Sequence, residues 1–281
     1  MISYPFDVKG VLTRVLEAGS GDRYVVMVHG AGSRADRWQH NIEPIALGGF
    51  HLFALDLPGH GFAEKGSEVN CSVLGYTTFL LDFLDAMGID EVVFVGTSLG
   101  GHVAASAALC RSDQVRALVL VGTTGLYPNG LERRLRTSGR LRDTSQDGIN
   151  QKLNALVYDD ALVTRDWVRE EFMMNNSPGA VTSFDTLARY FEARLDDDCI
   201  GDAVARLSER LPIMLVWGTQ DEMVGVEIGR RAHQAMPASQ FVEIDNTSHA
   251  PYFERPEIFN TAVLKFLAPV FTSQPIDWSN Q

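Results

Sequence analysis

A rhythm constrains this chain more than any single motif. Short apolar runs recur, each closed by glycine or proline, and helical segments fill the intervals. Tyr24–Val28 (YVVMV) ends at His29-Gly30, and His51–Leu55 (HLFAL) ends at the DLPGHG turn of residues 56–61. Glu91–Val95 (EVVFV) ends at Gly96, Ala117–Val121 (ALVLV) at Gly122 and Ile213–Trp217 (IMLVW) at Gly218; Phe241–Ile244 is the last run. Nearly continuous, β-branched runs suit parallel strands covered on both faces. Between them the spacing predicts helices over Val73–Met87, with apolar Leu74, Leu80, Leu81, Phe83 and Leu84 and a stop at Gly88, and over the small-residue segment Leu99–Cys110. Two more are predicted over Val226–Met236 and over Pro256–Leu267, which starts with a proline tolerated in a first turn. Alternating strand and helix give an α/β fold, a mostly parallel central sheet with helices on both faces. Ahead of it, residues Met1–Gly19 predict an antiparallel hairpin, with turn signals at Lys9-Gly10 and from Gly19 to Gly21.

One interval breaks the rhythm. About 90 residues separate Val121 from Ile213, whereas a crossover between parallel strands needs only roughly a dozen. The excess predicts a helical cap between strands 6 and 7, dividing the chain into core (1–124), cap (125–205) and core (206–281). The cap carries Trp167, Phe172, Met173, Met174, Phe184, Tyr190 and Phe191. Their apolar faces either cover a pocket or form the cap's own core.

The chemistry centres on Gly96-Thr97-Ser98-Leu99-Gly100, where a buried strand becomes a helix. A tight strand-to-helix turn pushes the serine out of the sheet with its hydroxyl exposed. Residues two before and two after must be small, and both are glycine. A serine hydroxyl needs a base to become a nucleophile. His249, in the loop after the last run, can reach back over the sheet edge to supply it. Asp221, just past IMLVWG, is the candidate orienting acid, with Glu222 as the fallback. His29 and His60 belong to glycine turns, His102 packs near the site, and His40, His51 and His233 read as surface or packing residues. Asp56 is expected to close its turn by accepting backbone hydrogen bonds. The N–H groups of Ala31 and Leu99 are the expected oxyanion donors. Gly32, Trp38, Thr97 and Trp167 are the expected substrate-binding residues.

Composition narrows the partners. The formal net charge is −12, which repels phosphate backbones and anionic headgroups. A small-molecule substrate is therefore expected, without nucleic-acid or membrane partners; a homodimer is compatible with the sequence. The three cysteines, Cys71, Cys110 and Cys199, are odd in number and lack metal-ligand spacing. No cofactor and no metal is implied. The first residues lack a signal-peptide pattern and no run approaches the ~18 apolar residues of a membrane span, so a soluble, cytoplasmic protein is expected.

The pieces HGAG, DLPGHG, GTSLGG, WGTQD and NTSHAPYFERPEIF, in that order and spacing, resemble the α/β-hydrolase superfamily over nearly the full length. The resemblance implies the α/β-hydrolase fold and a Ser98-Asp221-His249 triad, in the chain order of that fold. The cap resembles that of small esterases and of meta-cleavage-product hydrolases, which break C–C bonds in ring-opened aromatics. Haloalkane dehalogenases and epoxide hydrolases share the architecture but use an aspartate nucleophile, where this chain has Ser98. Proline iminopeptidases share fold and serine, but nothing here marks the acidic site for a free amino terminus. The first functional expectation is a carboxylesterase-like serine hydrolase acting on a small or medium, partly apolar ester through an acyl-enzyme. The alternative is a C–C bond hydrolase of a ring-fission dienoate; a non-catalytic ligand-binding member of the fold comes third. The C–C hydrolases typically carry asparagine before the serine, here Thr97, and an aromatic soon after the histidine, here Ala250-Pro251-Tyr252-Phe253. They also bind the dienoate carboxylate with a cap arginine, for which Arg165, Arg169, Arg189 and Arg194 are the candidates. The basic stretch Arg133–Arg142 reads as a solvated face.

Overall fold

In the computed structural model, which describes residues 1–271, eight strands form one sheet. Residues 272–281, the end of the expected C-terminal core segment, lie outside the described residues. Strands β1 (Ile2–Val8) and β2 (Val11–Ala18) make the hairpin, turning through Lys9 and Gly10, both at positive φ. Strands β3 (Tyr24–Val28), β4 (His51–Leu55), β5 (Val92–Thr97), β6 (Val115–Val121), β7 (Ile213–Gly218) and β8 (Gln240–Ile244) follow. The spatial order is β1-β2-β4-β3-β5-β6-β7-β8, parallel from β4 to β8, with β2 antiparallel to β4.

Side chains alternate across this sheet. Val26, Val28 and Phe94 face one layer, and Val25, Met27, Val93 and Val95 face the other. Helices α1 (Ile42–Ala46), α2 (Val73–Met87) and α3 (Leu99–Cys110) belong to the first half of the chain. Five helices then lie between β6 and β7: α4 (Leu131–Arg142), α5 (Gln146–Leu156), α6 (Arg165–Asn175), α7 (Ala180–Ala193) and α8 (Gly201–Leu207). Helices α9 (Val226–Ala235), α10 (Pro251–Glu254) and α11 (Pro256–Leu267) close the described chain. Residues of α2, α3 and α9 fill the first layer, and those of α1 and α11 the second. Helix α2 ends at Gly88 in the left-handed conformation, as the sequence predicts. Its Leu74, however, is 73% exposed, and the buried stripe runs through Tyr76, Phe79, Leu80, Phe83 and Leu84.

Topology positions the site. The chain leaves β3 towards β4 on one side, and leaves β5 towards β6 on the other. Loops diverging at such a switch point leave a crevice beyond the strand ends. Gly30 follows β3 and Ser98 follows β5, so both border that crevice. Helix α3 is drawn close beneath it: a side-chain carbon on Gly100 would sit 2.3 Å from the Val28 carbonyl oxygen and 2.4 Å from that of His29. Among the described residues no helix is long and apolar enough to cross a membrane.

Gly100→Ala is accordingly expected to cost ~2 kcal/mol or more, as an overpacked core does. That corresponds to a fall of roughly 4–8 °C in Tm for a domain of this size, read by thermal circular dichroism. An unchanged Tm would show that α3 can retreat from the β3 end.

Candidate active site

Ser98 sits between β5 and α3 at φ 54° and ψ −121°. Only an over-determined surrounding holds a non-glycine residue there. Its N–H donates to Val121 O (2.9 Å), and its carbonyl accepts from the N–H groups of Gly101, His102 and Thr124. These backbone bonds fix the turn and leave the hydroxyl free to face a cavity. Gly30, Ala31, Gly32, Thr97, Ser98, His249 and Tyr252 line that cavity on the core side. Thr137, Arg140, Leu141, Lys152, Leu153 and Leu156 line it from the helical insert. It holds about 600 Å³ of non-atom space, part of it open to solvent at the mouth.

His249 follows β8, and its Nδ1 donates to Asp221 Oδ2 at 2.7 Å, with both side chains almost wholly buried. The other carboxylate oxygen, Asp221 Oδ1, accepts from the N–H groups of Met223 and Val224, each at 2.9 Å. Asp221 is thus an acceptor with fixed partners, and Nε2 is the ring nitrogen of His249 outside this contact. Gly122 lets the β6 end pass close by, because a side-chain carbon there would lie 3.1 Å from both Asp221 Oδ2 and His249 Nδ1. Glu222 is exposed and plays no part in this contact. The other buried imidazoles are pinned elsewhere. Desolvation lowers His29 to about 4 and His102 to about 4, and lowers His60 to about 3 with His29's charge adding to it. His29 Nδ1 donates to Gly30 O, and its Nε2 accepts from Leu57 N–H.

Of the expected substrate-binding residues, Gly32 and Thr97 line the cavity, while Trp38 and Trp167 do not. Trp38 is wholly buried behind it, its ring 4.4 Å from that of Tyr252, which is the aromatic that fronts the cavity. Trp167 packs instead on Phe253 (4.9 Å) and under the Arg37 guanidinium (4.4 Å), in a cluster with Ile149, Leu153 and Val157. Of the insert's other large side chains, Phe191 is buried in the main core, Phe184 is buried with its ring 5.4 Å from that of His60, and Met173 is 61% exposed. Of the expected donors, Ala31 lines the cavity and Leu99 opens α3 beside Ser98.

The cations are elsewhere than expected. Arg165, Arg169, Arg189 and Arg194 are exposed. Arg140, within the stretch read as a solvated face, turns into the cavity and has no hydrogen-bond or ion-pair partner among the described residues. Arg37 and Lys152 line the cavity too. Lys152 was legible in principle: it lies three residues after Ile149 and four before Leu156, on the apolar stripe of α5. Its Nζ donates to Gly32 O (3.0 Å) and Glu171 Oε2 (3.4 Å). Glu171, 1% exposed, also accepts from Arg34 (2.8 Å) and from Arg37. The network continues through Asp36 to Arg14 and Asp56. Asp56 accepts the backbone bonds expected of it, from Ala35 and Phe62, and Arg14 besides.

Comparison with known proteins agrees with this architecture. A sequence profile described as the alpha/beta hydrolase fold matches residues 24–256. A 2-hydroxy-6-oxononadienedioate/2-hydroxy-6-oxononatrienedioate hydrolase of Paraburkholderia phymatum is 28% identical over 267 residues, covering 89% of each chain. The meta-cleavage product hydrolase CumD of Pseudomonas fluorescens IP01 superposes with a TM-score of 0.81 at 24% identity, over 92% of this chain and 95% of that one. CarC, a serine hydrolase involved in carbazole degradation, superposes with a TM-score of 0.80 at 25% identity, over 95% and 99%.

Burial acts on Glu171 most strongly and would raise its pKa, but Arg37, Lys152 and Arg34 together hold it at about 2, below the ordinary 4.5. The stability it lends is therefore complete above pH 4.5 and lost as pH falls towards 2. Glu171→Gln should destabilise the protein by about 3 kcal/mol at pH 7, because three cations lose their shared charge. The gap from the parent should narrow as pH drops through that window, in urea melts at stepped pH. A gap constant with pH would show that Glu171 contributes only packing.

Proposed function

The chain belongs to the α/β-hydrolase fold family, and on that premise we propose that it is a serine hydrolase cleaving a C–C bond of a ring-fission 2-hydroxy-6-oxo dienoate. Arg140 carries this reading: a cation of the helical insert, unpaired, facing the same cavity as Ser98 and His249. An unpaired charge in a half-buried wall is costly unless a ligand completes it, and a carboxylate does so with charge-assisted hydrogen bonds. The relatives named as dienedioate hydrolases supply the matching substrate class. In this reading the insert α4–α8 is the lid.

The residues take these roles. His249 Nε2 accepts the Ser98 proton as Oγ adds to the 6-oxo carbon. The N–H groups of Ala31 and Leu99 hold the oxyanion, and Asp221 keeps His249 in the working tautomer and stabilises its charged form. With the 2-hydroxyl proton moved to C5 beforehand, so that the substrate reacts as its 2,6-dioxo tautomer, collapse breaks the C5–C6 bond. Its electron pair spreads into the conjugated 2-oxo acid, whose carboxylate Arg140 anchors, and His249 returns the proton. Water, deprotonated by His249, then releases the second acid from Ser98. Leu141, Leu153, Leu156 and Met223 give the conjugated chain apolar walls. Ester hydrolysis uses the same steps with an alkoxide leaving; Thr97, where the C–C hydrolases typically carry asparagine, favours it as the second reading.

The dienoate's visible absorbance reports turnover directly. The parent should consume it faster than short-chain aryl esters, and Ser98→Ala and His249→Ala should each lower kcat by roughly 10⁴-fold, with the double variant little worse because the groups act as a unit. Arg140→Met should raise KM for the dienoate by about 10- to 100-fold, the worth of a charged hydrogen bond. Esters turned over with the dienoate untouched would move the function to ester hydrolysis.

A further inference from the structure

The cavity carries, besides Arg140, a pair of cations whose N–H donors the protein leaves partly unused. Arg37 and Lys152 both line it, and both rest on Glu171. Arg34, the third cation on that carboxylate, also has Asp36 and Glu170. Arg37 and Lys152 have no second carboxylate among the described residues, so both rest on the one Glu171 carboxylate, which Arg34 shares. Their hydrogen bonding is incomplete. Arg37 is 5% exposed, yet its Nε–H is buried without a partner. Lys152 has three N–H donors and spends two, on Gly32 O and Glu171.

Arg140 makes no hydrogen bond or ion pair with Glu171, whose partners are Arg34, Arg37 and Lys152. Arg140 comes from α4 and Lys152 from α5, with the apolar Leu141 and Leu153 beside them on the wall.

We propose that Arg37 and Lys152 form a second anion subsite, which takes the far carboxylate of a substrate whose first carboxylate lies on Arg140. The selected substrates are then dicarboxylates, ring-fission dienedioates rather than dienoates ending in an aryl or alkyl group. This rests on the C–C hydrolase reading for the reaction, but not for the subsite itself. Glu171 is the positioning residue: it holds both cations at the wall and leaves some of their N–H donors unused.

Two measurements on the intact protein separate the claims. The first is the ratio of kcat/KM for 2-hydroxy-6-oxonona-2,4-dienedioate to that for the phenyl-ended dienoate, in the parent and in Lys152→Met. The parent ratio should exceed 10, and the variant should lose about 10- to 100-fold of it, the range for a hydrogen bond to a charged group. The ratio cancels any general damage to the Gly30–Gly32 loop. The second is the Tm shift given by glutarate against butyrate at equal ionic strength. Glutarate should stabilise the parent more, and the difference should vanish in Lys152→Met. If neither dienoate is consumed but the glutarate preference holds and depends on Lys152, the subsite stands and the C–C reading falls. If both dienoates are consumed at a ratio that Lys152→Met leaves unchanged, the subsite is overturned and the C–C reading stands.

Discussion

The tight turn from β5 into α3 is the constraint on which the rest of this molecule depends. It places Ser98 at a positive φ that costs of order 1–3 kcal/mol for a residue with a side chain. The surroundings hold it there through the Val121 carbonyl on one flank and three N–H groups on the other. The turn also forces α3 against the β3 end, with no room for a side chain at Gly100. Closeness of that kind brings the Gly30–Gly32 loop alongside Ser98, so the strained serine and the glycine loop beside it share one cause. The aspartate and histidine need no strain. They sit after β7 and β8, adjacent parallel strands, and a single 2.7 Å bond joins them.

A second organising interaction lies between core and insert. Glu171 of α6 gathers Arg34 and Arg37 from the loop after β3, and Lys152 from α5. Buried ion pairs seldom add net stability over apolar packing, because desolvation consumes the Coulomb gain. Here the pairs fix geometry: Lys152 reaches from the insert to the carbonyl of Gly32. Insert and loop therefore hold one relative position, and the cavity wall between them is set by charge as well as by the Leu141, Leu153 and Leu156 side chains.

Much of the fold was legible because apolar runs bounded by glycine and proline leave little choice. Strands β3 and β4 and helices α2, α3 and α11 begin and end where the pattern does. Strands β5 and β6 run two residues further at one end, since strand pairing outlasts the apolar run: Thr97 pairs with Val121 and Val92 with Val115. The residues around Ser98 and the Asp221–His249 pair were legible for the same reason, being tied to strand ends. The cavity's far wall was not. Arg37 and Arg140 look like surface charges, and Lys152, though its place on the apolar stripe of α5 was readable, gives no sign of its partner: single-sequence periodicity cannot weigh a carboxylate 19 residues or 134 residues away. Trp38 and Trp167 illustrate the converse. Large aromatics suggested a pocket wall, yet they back the rings of Tyr252 and Phe253, at 4.4 and 4.9 Å between centroids.

The insert leaves the sheet after Val121 and returns at Ile213, on strands that lie side by side, with Val121 opposite Val216. Its two ends are thus fixed next to each other whatever runs between them. Lengthening such a closed excursion is cheap, about 0.6 kcal/mol per doubling, and no strand register depends on its contents. Descent can therefore rewrite the 122–212 segment wholesale, exchanging one cavity wall for another, while the strand ends bearing Ser98, Asp221 and His249 stay put. Divergence in this lineage would gather there, and kinship in the sheet would be a poor guide to what two members consume.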